Sequence, residues 1–483
     1  MRDRGVLVAL AATVGGILAG EHAGPAPATA TLFVGLLALA AAWFVDARAR
    51  VAIAAVALAL IGVAQTQRAL DGQAHSPLTG AMARRELVTV PGVLADDPQS
   101  GRFDTDALVR VGVAGGHRTL LAVATGDEAL RLRVLEASDR VVLTGRLGPL
   151  HPDRFDGRAR WRHAIARLDG AQVLALRPAV GVFRVANDLR ALVLRGTAPL
   201  PPTPRALLAG FLLGDTRSVP DPVVADYRQS GLSHLLAVSG ENVAFTLALF
   251  GPVLRRVRLG ARTIVAIVIV LLFATMTRFE PSVLRASALA VIALTASFVG
   301  RPASGLRALA LAVIALLAID PFLLHSVAFW LSCGASAGIA LLAGAIRARL
   351  RGPEWIRGPL SVSLAAQAGV TPVLLATFGK VPVVTPLANL LAAPAAEAVG
   401  VYGMLASAVG GIAPPLAPVL QQPTAVLIAW ISAVAHAGAA VGLDLDRRTA
   451  WLALAGLASA ACLRRFRGSP SARVTTTSAR ARW

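Results

Sequence analysis

Residues 231–245, GLSHLLAVSGENVAF, bring His234, Ser239, Gly240, Glu241 and Asn242 within nine positions, just ahead of the apolar run TLALFGPVL. Three chemistries could use such a set. A serine nucleophile with a histidine base is available in type, but AVSGE is not a GxSxG elbow and no aspartate lies close enough in sequence to complete a triad on Ser239 and His234. Metal chemistry needs clustered ligands, whereas the eight histidines are scattered without HExxH or HxHxDH spacing, and Cys333 and Cys462 form no CxxC. The third chemistry is hydrogen bonding to something passing by. The Ser239-Gly240 pair is a natural helix break, and a break at membrane depth survives only where the freed peptide groups meet protein or a hydrated cavity. No catalytic residue, metal or cofactor is assigned.

Further polar residues interrupt other apolar runs. Arg285 lies in EPSVLRASALAV; Ser326, Ser332 and Ser336 in SVAFWLSCGASAG; Gln367, Thr371 and Pro372 in QAGVTP; and Asn389 between Pro386 and Pro394 in TPLANLLAAP. Each has a plainer reading as a snorkelling arginine, a small packing residue or a kinking proline. A charge at the bilayer centre costs about 2.5–3.5 kcal/mol, so several such residues together point to a shared hydrated route. Ser239, Gly240, Asn242, Arg285, Gln367 and Asn389 are its candidate lining. Glu241 suits an anionic cargo poorly, and is expected to pair with an arginine or with His234.

The elements that must position these residues follow from composition. Of 483 residues 55% are hydrophobic and 15% charged, and the mean hydropathy is +0.65. That excludes a soluble enzyme and defines an integral membrane protein. The net charge of +20 is carried by arginine, Lys380 being the only lysine, and by itself makes a weak case for an anionic partner.

Expected spans at 5–20, 29–45 and 51–66 form an N-terminal unit over 1–69. Arg2, Arg4 and the basic DARAR at 46–50 put the N-terminus and that loop in the cytoplasm. Residues 70–180 then change period: LVTVPGVL, DALVRVGV, RTLLAVAT, RVVLTGRL and AQVLAL alternate every second residue, predicting a small OB-like β-barrel outside the cell. Amphipathic stretches over 181–230 are expected to lie along the outer surface. Spans are then expected at 233–254, 262–277, 283–299, 305–319, 323–345, 359–377, an interrupted 380–413, 423–442 and 449–463, within a unit covering 231–463. The number of crossings after 380 stays open, and 464–483 reads as a disordered basic tail. The fold class is a polytopic α-helical membrane protein with an inserted extracytoplasmic small β-barrel.

GLSHLLAVSGENV closely resembles the signature of the ComEC-type competence proteins. ALLAGFLLGDTR at 206–217, EPSVLRA at 280–286, FWLS at 329–332, QAGVTP and PLANLLAAP occur in that family's order. The resemblance implies a multi-pass channel of the bacterial inner membrane, not an enzyme, that passes one DNA strand into the cytoplasm during natural transformation. It also implies an external DNA-receptor protein and a cytosolic helicase-like motor as partners, beside single-stranded DNA and membrane lipid, with a homo-oligomer among the assemblies left open. By the same resemblance His234, Glu241, Gly214, Asp215, Pro372 and Pro394 belong to the motif framework.

Two departures bear on this. Many relatives carry Leu-His where this chain has Glu241-Asn242. Larger relatives end in a metallo-β-lactamase-like domain that this chain is expected to lack, so nuclease activity is not carried over. No Walker A loop is present, Lys380 being followed by valine. A small-solute transporter, or a membrane protein that tethers DNA without passing it, are the competing readings.

Overall fold

Helices form where the apolar runs lie, because in hydrocarbon each peptide group must be paired within its own segment. The structure, a computed structural model, describes residues 2–449 apart from 23–26, 75, 102, 114, 115, 152, 153, 239, 301–303 and 447. Among the described residues seven helices are long and apolar enough to cross a bilayer: Arg4–His22, Arg48–Asp71, Pro281–Phe298, Val327–Arg349, Glu354–Thr377, Thr385–Ile412 and Pro414–Val441. Ala28–Phe44, Gly260–Met276 and Gly305–Ile319 are shorter apolar helices. Ser239 and nearly all of the expected 449–463 span and 464–483 tail fall outside the described residues.

The period-two runs form a closed five-stranded barrel. Its strands are β1 (Leu87–Leu94), β2 (Asp104–Val113), β3 (Gly116–Thr125), β4 (Arg140–Gly148) and β5 (Ala164–Arg177). The ladder runs β1-β4-β5-β3-β2, and Gly92↔Val111 to Leu94↔Val109 pairs β2 back to β1. All neighbours are antiparallel except β3 and β5, which run parallel with Leu120 opposite Ala166. That order with a single parallel pair is the OB topology. The helix Gly126–Arg133 fills the β3–β4 connection, with Asp127 and Glu128 in its first turn and Arg131 and Arg133 in its last, each sign where the helix dipole favours it. Its Leu132 joins Leu120, Val141, Leu143 and Leu168 in the barrel core.

Within 181–230, expected along the outer surface, Val182–Gly196 and Pro202–Leu213 are two helices joined by a short turn, and residues 206–213 of the second are buried throughout. Leu207, Leu208 and Leu212 sit in one core with Tyr227, Ala392 and Ile428. The end of the first helix reaches Gln421, whose Nε2 donates to Gly196 O at 3.1 Å and to Ser407 Oγ at 3.0 Å.

A short ladder joins the two ends of 380–446, the expected 449–463 span lying almost wholly outside the described residues. Lys380–Pro382 pairs antiparallel with Asp444–Asp446, and Lys380 Nζ lies 2.7 Å from Asp444 Oδ2. Both ends of the Thr385–Val441 hairpin therefore lie on one face, with one crossing in each arm.

Barrel and bundle meet at two junctions. Trp161, in the β4–β5 connection, stacks on His325 with centroids 3.6 Å apart, and His163 bonds Asp320 at 3.1 Å. A second junction is ionic and buried. Arg190, 1% exposed, bridges Asp97 of the barrel (3.0 Å) and Asp215 (3.1 Å), and its other terminal nitrogen donates to Leu213 O and Met276 O, each at 3.0 Å. Arg278 completes the cluster, reaching Asp97 at 2.9 Å and Asn187 Oδ1 at 2.6 Å.

Candidate functional site

The stretch at 231–254 is not one continuous span. A short helix, Ser233–Leu236, stops at Ala237, whose backbone is extended (φ −96°, ψ 150°), and helix resumes as Gly240–Leu249 and then Gly251–Leu254. The freed peptide groups find partners on the helix Pro281–Phe298, as buried backbone groups must. Ser282 Oγ donates to Val238 O at 2.6 Å. The Val238 N–H faces the Glu280 carboxylate.

Sequence blocks far apart in the chain converge on this break. Gly214, the left-handed cap (φ 73°) of Pro202–Leu213, closes against both partners: a Cβ there would lie 2.5 Å from Glu280 Oε1 and 3.2 Å from Val238 Cγ2. Gly240 lies against Arg285, where a Cβ would meet Nη2 at 2.7 Å. Arg285 Nε in turn donates to Ser332 Oγ at 2.7 Å. Blocks 206–217, 231–245, 280–286 and 329–332 thus supply one constellation. Its electrostatics are unbalanced, since among the described residues Arg285 is in no ion pair.

Asn242 Nδ2 donates to Phe211 O at 3.0 Å. Beside it is a cavity of about 20 Å³ lined by Asn242, Phe245, Thr246, Leu212, Gly400 and Met404, room for about one water. Gly400 belongs to a π-helical stretch, Val399–Gly403, just after Pro394. Such one-turn widenings relieve a disturbed helical ladder.

The expected partner for Glu241 is not there. Among the described residues Glu241 makes no ion pair, and its charged neighbour is Glu397, a second carboxylate. His234 is exposed, with Nδ1 at 3.2 Å from Gly231 O. The residue before Glu241, Gly240, packs against Arg285, yet that guanidinium goes to Ser332 and not to Glu241.

The remaining candidates lie on the neighbouring helix pair. Asn389 Nδ2 donates to Ser363 Oγ at 3.2 Å, joining Thr385–Ala398 to Glu354–Thr377. Gln367 shares the latter helix with Pro372, and its Nε2 is buried without a hydrogen-bond partner. Neither side chain bonds to Arg285 or Asn242. Asp215 sits in the barrel junction. Burial disfavours its charge, but Arg217, at 2.9 and 2.7 Å, and Arg190 hold its carboxyl well below the usual range. Asp97 is likewise penalised by burial and held low by Arg190, Arg278 and Arg217.

Sequence reasoning singled out Arg285 from EPSVLRA and passed over Glu280 and Ser282. The available signal was position: both stand at the start of a helix, where short polar side chains reach unpaired peptide groups of a neighbour. Arg190, Arg278 and Glu397 carried no motif.

Fold and constellation define a class: a multi-pass helical membrane protein whose interrupted helix is held beneath an external OB barrel. The model of the Competence protein family matches residues 211–466. That is more than half of the chain, and the chain belongs to this family of inner-membrane proteins. It is similar to ComE operon protein 3 of Bacillus subtilis (strain 168), 26% identical over 293 residues that cover 60% of this chain and 36% of that protein. It is also similar to the uncharacterized protein YcaI of Escherichia coli (strain K12), 28% identical over 300 residues, 57% of this chain and 38% of that protein. The chain spans little more than a third of the length of either relative. No solved structure matches it.

Proposed function

We propose that this chain forms the membrane passage by which single-stranded DNA enters the cytoplasm in natural transformation, served by an external DNA receptor and a cytosolic helicase-like motor. The observation that carries the reading is Arg285, a guanidinium held within a helix bundle, against the glycine of a helix break, with no carboxylate partner among the described residues. Such a charge inside a membrane is costly unless it faces water or a transient anion. A strand bearing one phosphate per nucleotide supplies that anion repeatedly and without sequence preference. Membership of the competence family supports the same cargo. The cavity beside Asn242 holds about one water, far less than a nucleotide needs. Passage therefore requires the elements around the break to part, and an interrupted helix is easier to part than a continuous one.

The test is delivery of labelled duplex DNA to a DNase-resistant state in a deletion strain complemented with the wild type, Arg285→Lys or Arg285→Ala. Loss of delivery in Arg285→Ala, with partial retention in Arg285→Lys and equal membrane levels, is the expected result. Normal delivery in the uncomplemented deletion strain, or in Arg285→Ala, would overturn the proposal.

A further inference from the structure

The break needs a cause. Nothing in Leu-Ala-Val at 236–238 forbids helix: there is no proline, and leucine and alanine are strong helix formers. Left alone in hydrocarbon, the segment gains by closing the gap, because a continuous helix pairs every peptide group within itself. The Ser239-Gly240 pair weakens helix at this point, and groups outside the segment must then pair the peptide groups that the gap leaves free. Two side chains meet Val238 from the same short stretch. Ser282 donates to its carbonyl at 2.6 Å, and Glu280 faces its N–H. Glu280 is also backed by Gly214, whose missing Cβ leaves room for the carboxylate.

We infer that Glu280 and Ser282 are positioning residues that grip the two peptide groups of Val238 and so hold the helix broken in front of Arg285. Only the consequence for DNA rests on the function proposed above; the grip itself does not.

The charged surroundings of Glu280 come from several elements. Asp96 of the barrel's β1–β2 connection opposes its ionisation, and Arg190 of Val182–Gly196 favours it. Asp215, just past Gly214, is engaged by Arg217 and Arg190, and Arg278 by Asp97 and Asn187. Among the described residues Glu280 has no ion pair of its own. Burial, reinforced by Asp96, pushes its carboxyl up to about 7. The grip on the N–H is therefore strongest above neutral pH and slackens below it.

The experiment reads the break directly. Ala237→Cys, in the full chain with Cys333→Ala and Cys462→Ala, is labelled from outside with a membrane-impermeant maleimide. This parent is compared with Glu280→Ala, Glu280→Gln, Ser282→Ala and Ser282→Thr. Losing one hydrogen bond at a local opening changes the labelling rate by about fivefold in each alanine variant. Thr at 282 keeps a donor and stays near the parent rate, and Gln at 280 keeps a neutral acceptor, so it matches the parent near pH 6 and falls between the parent and Glu280→Ala at pH 8. Between pH 8 and pH 6 the ratio of parent rate to Glu280→Gln rate changes, the Gln variant lacking the titrating group and cancelling the thiol's own pH dependence. Unchanged labelling in both alanine variants overturns the inference, and so does a Glu280→Gln rate equal to that of Glu280→Ala. Ser282→Ala removes a single oxygen and keeps the test open if Glu280→Ala fails to fold. If labelling responds as expected while DNA delivery does not, the grip stands and the proposed passage falls.

Discussion

Replacing Arg190 with methionine tests the ionic junction between barrel and bundle. Arg190 contacts four acceptors: Asp97 and Asp215 at 3.0 and 3.1 Å, and the carbonyls of Leu213 and Met276 at 3.0 Å. Orphaning a buried charge costs about 3–5 kcal/mol. Here neither carboxylate is fully orphaned, since Asp97 keeps Arg278 at 2.9 Å and Asp215 keeps Arg217 at 2.7 Å. The carboxylates then contribute less than that figure, and two buried carbonyls stripped of their donor add about 1–3 kcal/mol each. The net loss is about 3–5 kcal/mol, concentrated in docking, because the barrel has an apolar core of its own. Thermal unfolding of the detergent-purified protein, with limited proteolysis around 177–182, reads this as a lowered midpoint and faster cleavage. Arg184→Ala, which breaks the exposed pair with Asp188, leaves both unchanged. Asp97→Asn with Asp215→Asn in the Arg190→Met chain deepens the loss, since it strands the buried guanidiniums of Arg278 and Arg217. An Arg190→Met protein matching wild type in both readouts would refute the reasoning.

Two other outcomes follow from packing and titration. Gly196→Ala drives a Cβ into the Ser407 carbonyl, where backbone cannot yield, and is expected to lower membrane accumulation severely, as immunoblotting of membrane fractions would show. Asp106 on β2 has a buried oxygen without a partner, and burial together with Asp104 pushes its carboxyl up to about 6. A raised folded-state value contributes stability at low pH that is lost as pH rises through about 6. Asp106→Asn therefore stabilises the protein at pH 8 by about 1–2 kcal/mol after allowance for solvent screening, and the gain vanishes near pH 4 when unfolding midpoints are compared.

The barrel and most spans were legible because each rests on a periodicity the chain carries locally. Strand alternation in DALVRVGV and RVVLTGRL needs no knowledge of neighbours; the return pairing of β2 to β1 does, and no local pattern supplies it. The burial of Arg190 was not legible because an arginine in sequence reads as a solvent-seeking group. Arg190 is instead neutralised by aspartates 93 residues upstream and 25 downstream, so the amphipathic pattern marks a buried ionic stripe. The 231–254 run reads as one span by its apolar composition, with its interruption legible in Ser239-Gly240. The groups that meet Val238 there come from 280–282, whose nearness no local pattern reveals. Glu241 was assigned an opposite charge by chemical reasoning that holds only where one is within reach, and its neighbour is Glu397.

The ion pair between Asp97 and Arg278 joins residues 181 positions apart, which bears on how the molecule is made. The barrel leaves the ribosome with its strands complete long before Arg278 exists, so Asp97 must wait in water, hydrated, while the helices of 182–213 and the next membrane helix are inserted. Arg190 arrives midway and can neutralise only part of the cluster. Closure over so long a loop comes late and slowly, and no earlier partial structure brings all three arginines to both aspartates. The junction therefore closes only once every element between 97 and 278 is in place, and until then its aspartates and arginines stay hydrated rather than paired.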